Sequence, residues 1–319
     1  MLVQGSGGNV SWKDGATLWI KASGNWLSDA ARNDIFVPVD LAHLKDSIAS
    51  RDFGVSPKLR GESVLRPSIE TLLHALMPNP VVVHLHAVEV LAHLVRHDFE
   101  ADIASRLDNR LRWANIGYLK PGAELAKAVS TALEHRPAAD VVFLQNHGVV
   151  IGGSDVVEVD RILRTLTDAL AIAPRDPVAV STPESLQLVT DGAPYLPVSD
   201  PATHQLATDA TLFDRLPADW ALYPDQVVFL GARPACYAGM DAFLTEHYGN
   251  DTWPELVFIR DIGVFTQPGF GTAKQAQLRC YYDVLSRQPE DCVVNALTDR
   301  QIAELLGWEA EQYRMQLAK

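Results

Sequence analysis

Two histidines, His84 and His86, end a short apolar run, Val81-Val82-Val83, that is preceded by Pro78-Asn79-Pro80. A β-branched run bounded by prolines predicts a buried strand. Strand side chains alternate faces, so residues at i and i+2 project to one side. Two imidazoles on one side make half of a divalent metal site. The pair alone is explained equally well by ordinary hydrogen bonds. A third histidine, His147, sits in Gln145-Asn146-His147-Gly148, directly after the apolar run Val141-Val142-Phe143-Leu144. A tight turn at a strand end is where a third ligand would be expected. Glu70 lies in the first turn of a helix introduced by Arg66-Pro67-Ser68, off the stripe of Ile69, Leu72, Leu73 and Leu76. The helix dipole there favours the ionised carboxylate, which suits a general base or a metal ligand. A surface pair with His74 at i+4 accounts for it too. His93 and His97, one turn apart beside Arg96 and Asp98, form a rival pair that reads as a solvated helix end.

An anion site is suggested near the start. Gly5-Ser6-Gly7-Gly8-Asn9-Val10-Ser11 lets backbone N–H groups approach an anion, with Asn9 and Ser11 adding donors. Lys21 ends a predicted strand, Thr17–Lys21, and precedes a second small-residue turn, Ala22-Ser23-Gly24. It is placed either to meet a phosphate or carboxylate or to be solvated.

The elements that position these residues alternate between strand and helix. A strand is predicted over 34–39, a helix capped by Asp40 to about Ser50, and helices over about 88–96, 123–135 and 154–172. Residues 174–201 hold six prolines among Ser, Thr and Asp, which predicts a linker or extended crossing segment. We divide the chain into a domain at 1–175, a Pro-rich connection at 176–215 and a C-terminal extension at 216–319. Strands are expected at Gln226–Leu230 and Leu256–Ile259, and a final amphipathic helix from Asp299. The stretch Val142–Val149 also aligns with Val257–Val264, with Ile262 in place of His147. Either a duplicated strand–turn–helix unit or chance produces such an echo.

Bulk properties narrow the partners. The 319 residues carry 27 Lys and Arg against 40 Asp and Glu, a net charge of −13. An acidic surface gains no counterion-release energy from nucleic acid or an anionic membrane. The three cysteines, Cys236, Cys280 and Cys292, are widely spaced and read as reduced thiols of a cytoplasmic protein. No apolar run approaches the ~18 residues that span a bilayer, and the N-terminus lacks a signal-peptide pattern. No GxGxxG follows a strand, so no dinucleotide cofactor is expected.

Taken in order, Gly8-Asn9-Val10-Ser11, Ser23-Gly24, Pro67-Ser68-Ile69-Glu70, His84-Leu85-His86 and Asn146-His147-Gly148-Val149 resemble the class II aldolase/adducin family over about residues 5–172. The remainder, with Tyr223-Pro224-Asp225-Gln226, resembles the extension in the aldolase part of bifunctional rhamnulose-phosphate aldolase/dehydrogenases. The resemblance implies an α/β fold of three layers, α/β/α, around a mixed, largely antiparallel sheet, with a C-terminal α/β extension. It implies Zn2+, or Mn2+ or Co2+, on His84, His86 and His147, with Glu70 as the acid/base. It also implies a phosphate pocket from Asn9, Ser11, Ser23, Gly24 and Ser68, a catalytic Tyr118 reaching a neighbouring subunit, and a homo-oligomer. Cleaving a carbon–carbon bond beside a carbonyl leaves an enediolate, which a divalent cation stabilises as a Lewis acid.

The implied activity is retro-aldol cleavage of a ketose or ketose phosphate. Decarboxylation or epimerisation on the same centre, or a non-catalytic adducin-like interaction module, are the alternatives. Adducin-type heads lack the metal histidines that this chain keeps. Two departures stand out. Ile69 occupies the position of a second phosphate-binding serine, and the family's N-terminal helix does not precede Gly5, so either a truncated start or a misassigned start codon is expected.

Overall fold

A computed structural model describes residues 1–178, 188–189, 194–247 and 253–317. The first lobe is built on strands β1 (Asn9–Asp14), β2 (Thr17–Lys21), β3 (Phe36–Asp40), β4 (Val81–Leu85), β5 (Trp113–Ile116), β6 (Val141–Leu144) and β7 (Gly148–Gly153). Its helices are α1 (Leu41–Ala49), α2 (Thr71–Leu76), α3 (Val88–Leu94), α4 (Phe99–Leu107), α5 (Ala123–His135) and α6 (Val156–Ala169). The sheet order is β3-β2-β1-β4-β7-β6-β5, and every pair is antiparallel except β5–β6.

Alternation along the central strands explains the layering. Val83, Leu85, Phe143, Val149 and Ile151 pack with α3, α4 and α6 on one face. Val82, Val142, Leu144 and Val150 pack with α2 and α5 on the other. Strands covered on both faces need no polar alternation, so they read as continuous apolar runs. The expected three layers and the mixed, largely antiparallel sheet are present.

The second lobe holds a five-stranded sheet, with β8 (Leu188–Val189), β9 (Pro194–Pro197), β10 (Ala235–Tyr237), β11 (Leu256–Ile259) and β12 (Gly263–Thr266) in the order β10-β11-β12-β9-β8. Helices α7 (Gln205–Thr208), α8 (Ala210–Arg215), α9 (Pro224–Leu230), α10 (Met240–His247), α11 (Thr272–Leu285), α12 (Asp299–Leu306) and α13 (Glu309–Leu317) accompany it. The faint sequence echo is structural. Both sheets end on a parallel pair, β5–β6 and β10–β11, and both continue through an antiparallel hairpin into a long helix. Both hairpin turns hold a left-handed residue, Asn146 at φ 52° and Asp261 at φ 59°. The backbone N–H of Asn146 donates to Leu94 at the end of α3, and that of Asp261 donates to Ala207 in α7. His84 pairs with Val150 across β4–β7, and Pro197 pairs with Phe265 across β12–β9. Pro197, Ser199 and Ile262 therefore stand where the first lobe has His84, His86 and His147. The second copy has none of the three imidazoles.

Three expectations are corrected. Gln226–Leu230 is helical rather than a strand, because Pro224 starts α9 at a position that needs no N–H donor and the run is buried between neighbouring helices. The Pro-rich connection contributes β9, α7 and α8 to the second lobe, whereas Pro183 and the rest of 179–187 lie outside the described residues. The C-terminal helix is two helices, interrupted at Gly307 and Trp308. The lobes interlock through α3, where Val88, Leu91 and the capping Val95 share one core with Leu222, Val227 and Tyr281. No helix among the described residues is long and apolar enough to cross a membrane.

Candidate metal centre and active site

β4 delivers His84 as its penultimate residue on the α2 face, and His86 follows just beyond the strand end. The β6–β7 turn brings His147 against them. This approach requires Gly148, since a Cβ there would lie 2.5 Å from the Leu85 carbonyl oxygen and 2.9 Å from a ring carbon of His86. The three rings have centroids 4.8 to 5.4 Å apart, and one nitrogen from each lies within 4.8 Å of the others. All three side chains are buried.

Their hydrogen bonds fix which nitrogens face inward. His84 Nδ1 lies 3.2 Å from the Val149 carbonyl oxygen, an acceptor only, so Nδ1 carries the proton. His86 Nδ1 lies 3.2 Å from Asp225 Oδ2, again an acceptor. Both Nε2 atoms therefore keep their lone pairs, yet they sit 3.0 Å apart. Two lone pairs aimed at one point suit a shared cation rather than a hydrogen bond. Burial lowers His84 to about 4 and His147 to about 3, despite the opposing pull of Glu70, so both rings are neutral near pH 7, as metal ligands must be. The donor set fits a divalent ion.

Glu70 faces this cluster as the residue before α2, not inside its first turn. Its oxygens lie 3.5 Å from His84 Nε2 and 3.4 Å from His147 Nε2. Burial alone would raise its pKa, but the imidazoles and the Asn9 amide hold it down at about 2. A buried relay supports it from behind. Asn9 Nδ2 donates to Glu70 at 2.9 Å and to Ser68 Oγ at 3.2 Å, while Asn9 Oδ1 accepts a short hydrogen bond from His74 Nε2. Ser11 Oγ completes the relay, 2.7 Å from His74 Nδ1. His74 is wholly buried, which excludes the surface pair considered from the sequence.

Beside the cluster opens a pocket lined by Asn9, Ser23, Gly24, Ser68, Ile69 and Glu70 together with His86 and His147. Ser11 does not line it, being bound to His74. Lys21 does line it, with Nζ held by the carbonyl oxygens of Ser6 and Asn25 at 2.9 and 2.6 Å. Two acidic residues that sequence reasoning missed, Asp225 and Glu311, enter from the second lobe. Pro224-Asp225 was visible as a motif, but only tertiary contact shows its purpose. Tyr118 packs against the second lobe's core, with its hydroxyl buried and outside this pocket. The rival His93 is buried against Asp102 and the Leu170 carbonyl oxygen, while His97 is exposed.

Residues 1–174, which carry this entire histidine–glutamate constellation, match the family model of the class II aldolase and adducin N-terminal domain. The chain belongs to that family. As a class II aldolase/adducin member it is 33% identical over 88 residues to a Bacillus subtilis (strain 168) protein described as the uncharacterized oxidoreductase YuxG. That match covers 28% of this chain and only 12% of YuxG. Among solved structures, the N-terminal class II aldolase domain of a conserved Thermoplasma acidophilum protein is 25% identical, with a TM-score of 0.43, over 52% of this chain and 82% of that one. The L-fuculose-1-phosphate aldolase of Thermus thermophilus is 19% identical, with a TM-score of 0.35, over 53% and 82%.

Proposed function

We propose that this class II aldolase/adducin member is a divalent-metal-dependent lyase that cleaves a ketose or ketose phosphate by retro-aldol chemistry. The convergence of three inward-facing imidazole nitrogens with the Glu70 carboxylate supports this reading above all. A divalent ion held by His84, His86 and His147 would supply Lewis-acid stabilisation of the negative charge left when a carbon–carbon bond beside a carbonyl breaks. Glu70, ionised at neutral pH, takes the proton from the substrate hydroxyl next to the breaking bond. Asn9 holds the carboxylate in place by its amide, with His74 and Ser11 fixing Asn9 in turn. Ser23, Gly24, Ser68 and Lys21 hold the far end of the substrate. Ile69, which offers no hydrogen bond where the resemblance places a second serine, favours a substrate with less negative charge than a phosphate dianion.

The test is direct. Protein loaded with zinc, cobalt or manganese is given matched ketoses and ketose 1-phosphates, and aldehyde release is followed. We expect cleavage, faster for the unphosphorylated sugars. Glu70→Gln, with its metal retained, should lose about 10²–10⁴ in kcat. A metal-loaded wild type that releases no aldehyde from any of them overturns the proposal.

A further inference from the structure

The second lobe has none of the three histidines at the matching positions, yet it reaches the metal centre at two points. At the first, Asn146 donates from Nδ2 to the carbonyl oxygens of Leu222 and Asn295 at 2.7 and 2.6 Å, which pins the turn carrying His147. At the second, Asp225 in the first turn of α9 places Oδ2 3.2 Å from His86 Nδ1. Asp225 is 3% exposed and also receives Gln277 Nε2 from α11 at 3.4 Å. Space for the contact is kept by Gly7, where a Cβ would fall 2.5 Å from Asp225 Oδ2 and 3.1 Å from His86 Nδ1.

The need for such a partner differs between the histidines. His84 lies within the sheet, and its ring is oriented by the first lobe's own Val149 carbonyl oxygen. His86 lies past the strand end, where Gln4 Nε2 holds only its backbone carbonyl, at 3.1 Å. An imidazole whose Nδ1–H lacks a fixed acceptor can rotate and change tautomer, which turns Nε2 away from the metal position. A buried carboxylate removes that freedom and makes the ring a stronger donor.

We propose that Asp225 is a positioning residue of the metal centre: a carboxylate lent by the second lobe that locks the tautomer and orientation of His86. The proposal rests on the metal-centre reading above. It gives the second lobe a part in the chemistry of the first.

Zinc affinity of the full chain, measured by chelator competition, together with the visible spectrum of the cobalt-loaded protein, tests this. Wild type should bind about one zinc per chain. Asp225→Ala should weaken binding on the order of 10–100-fold and alter the cobalt spectrum, while Asp225→Asn, which keeps an acceptor, should weaken it roughly three- to tenfold. The metal-free melting temperature of Asp225→Asn should match that of wild type, which separates positioning from general stability. If Asp225→Ala does not fold, the asparagine variant decides on the same readouts. Affinities within twofold of wild type and an unchanged cobalt spectrum, alongside loss of metal in His84→Ala, would overturn the role of Asp225 and leave the metal centre standing. A wild type that takes up no metal would overturn both.

Discussion

The Ser11–His74–Asn9 relay shows how one buried histidine fixes the Glu70 carboxylate from behind. With Nε2 donating to the Asn9 oxygen, the neutral ring accepts at Nδ1 from the Ser11 hydroxyl and the relay is complete without a charge. Its burial enforces this, lowering its pKa to about 3. His84 and His147 are lowered in the same direction and also mainly by burial. A group whose folded pKa is depressed gives the unfolded chain more protons below its ordinary value of about 6.5. Stability of the metal-free protein should therefore be level above pH 7 and fall as pH drops through 6.5 and below. His74 alone should cost about 2 kcal/mol by pH 5, at ~1.4 kcal/mol for each pH unit below 6.5. Urea unfolding of the metal-free protein at pH 7.5 and 5.0 measures this. His74→Gln, which keeps one donor and one acceptor, should remove about one histidine's share of the pH dependence. An unchanged difference between the two pH values would show that His74 protonates as readily folded as unfolded.

At the level of elements, the two hairpin turns are a natural internal comparison. Asn146 and Asp261 share the left-handed conformation, which costs an ordinary side chain roughly 1–2 kcal/mol. Asn146 is also buried and bonded to Leu222 and Asn295, while Asp261 is exposed. Asn146→Ala should therefore destabilise by about 2–4 kcal/mol, conformational strain plus carbonyl oxygens left without a donor. Asp261→Ala should cost only about 1 kcal/mol. Equal losses in urea titrations would remove the clamp between the lobes from the account.

The turns and strands that carry this comparison were readable because local chemistry decides them. A β-branched run ends in Asn-His-Gly, and the second copy repeats the pattern with Asp-Ile-Gly. Thr17–Lys21 and Ala123–His135 match their sequence-predicted bounds for the same reason. The helix α9 was not readable, because Val227-Val228-Phe229-Leu230 is apolar on every side and shows no period that separates helix from strand. His84, His86, His147 and Glu70 were legible as a motif. The facing of Asp225 and Glu311 toward them was not, because both arrive from residues more than 130 positions beyond the strand that ends at Leu85.

The whole molecule holds two lobes built around a similar strand–hairpin–helix unit, of which the first carries the metal-type residues, and the two are joined by burial as well as by polar clamps. Helix α3 is the shared part. Its Val90 and Leu94 face the first sheet's core, while Val88, Leu91 and the capping Val95 are fully or almost fully buried in the second lobe's core. Removing the second lobe would expose those three side chains, each worth about 1.5–3 kcal/mol of burial, against a typical total stability of about 5–15 kcal/mol. It would also leave Asn146 Nδ2 without the acceptors it finds on Leu222 and Asn295. We therefore predict that a chain ending at residue 175 is insoluble or fails to unfold cooperatively, even though the family match ends at 174. Expression of that fragment beside the full chain, followed by circular dichroism melts, checks this. A soluble fragment with a sharp transition and wild-type zinc affinity would mean that the first lobe stands alone and that the second serves some purpose away from the site.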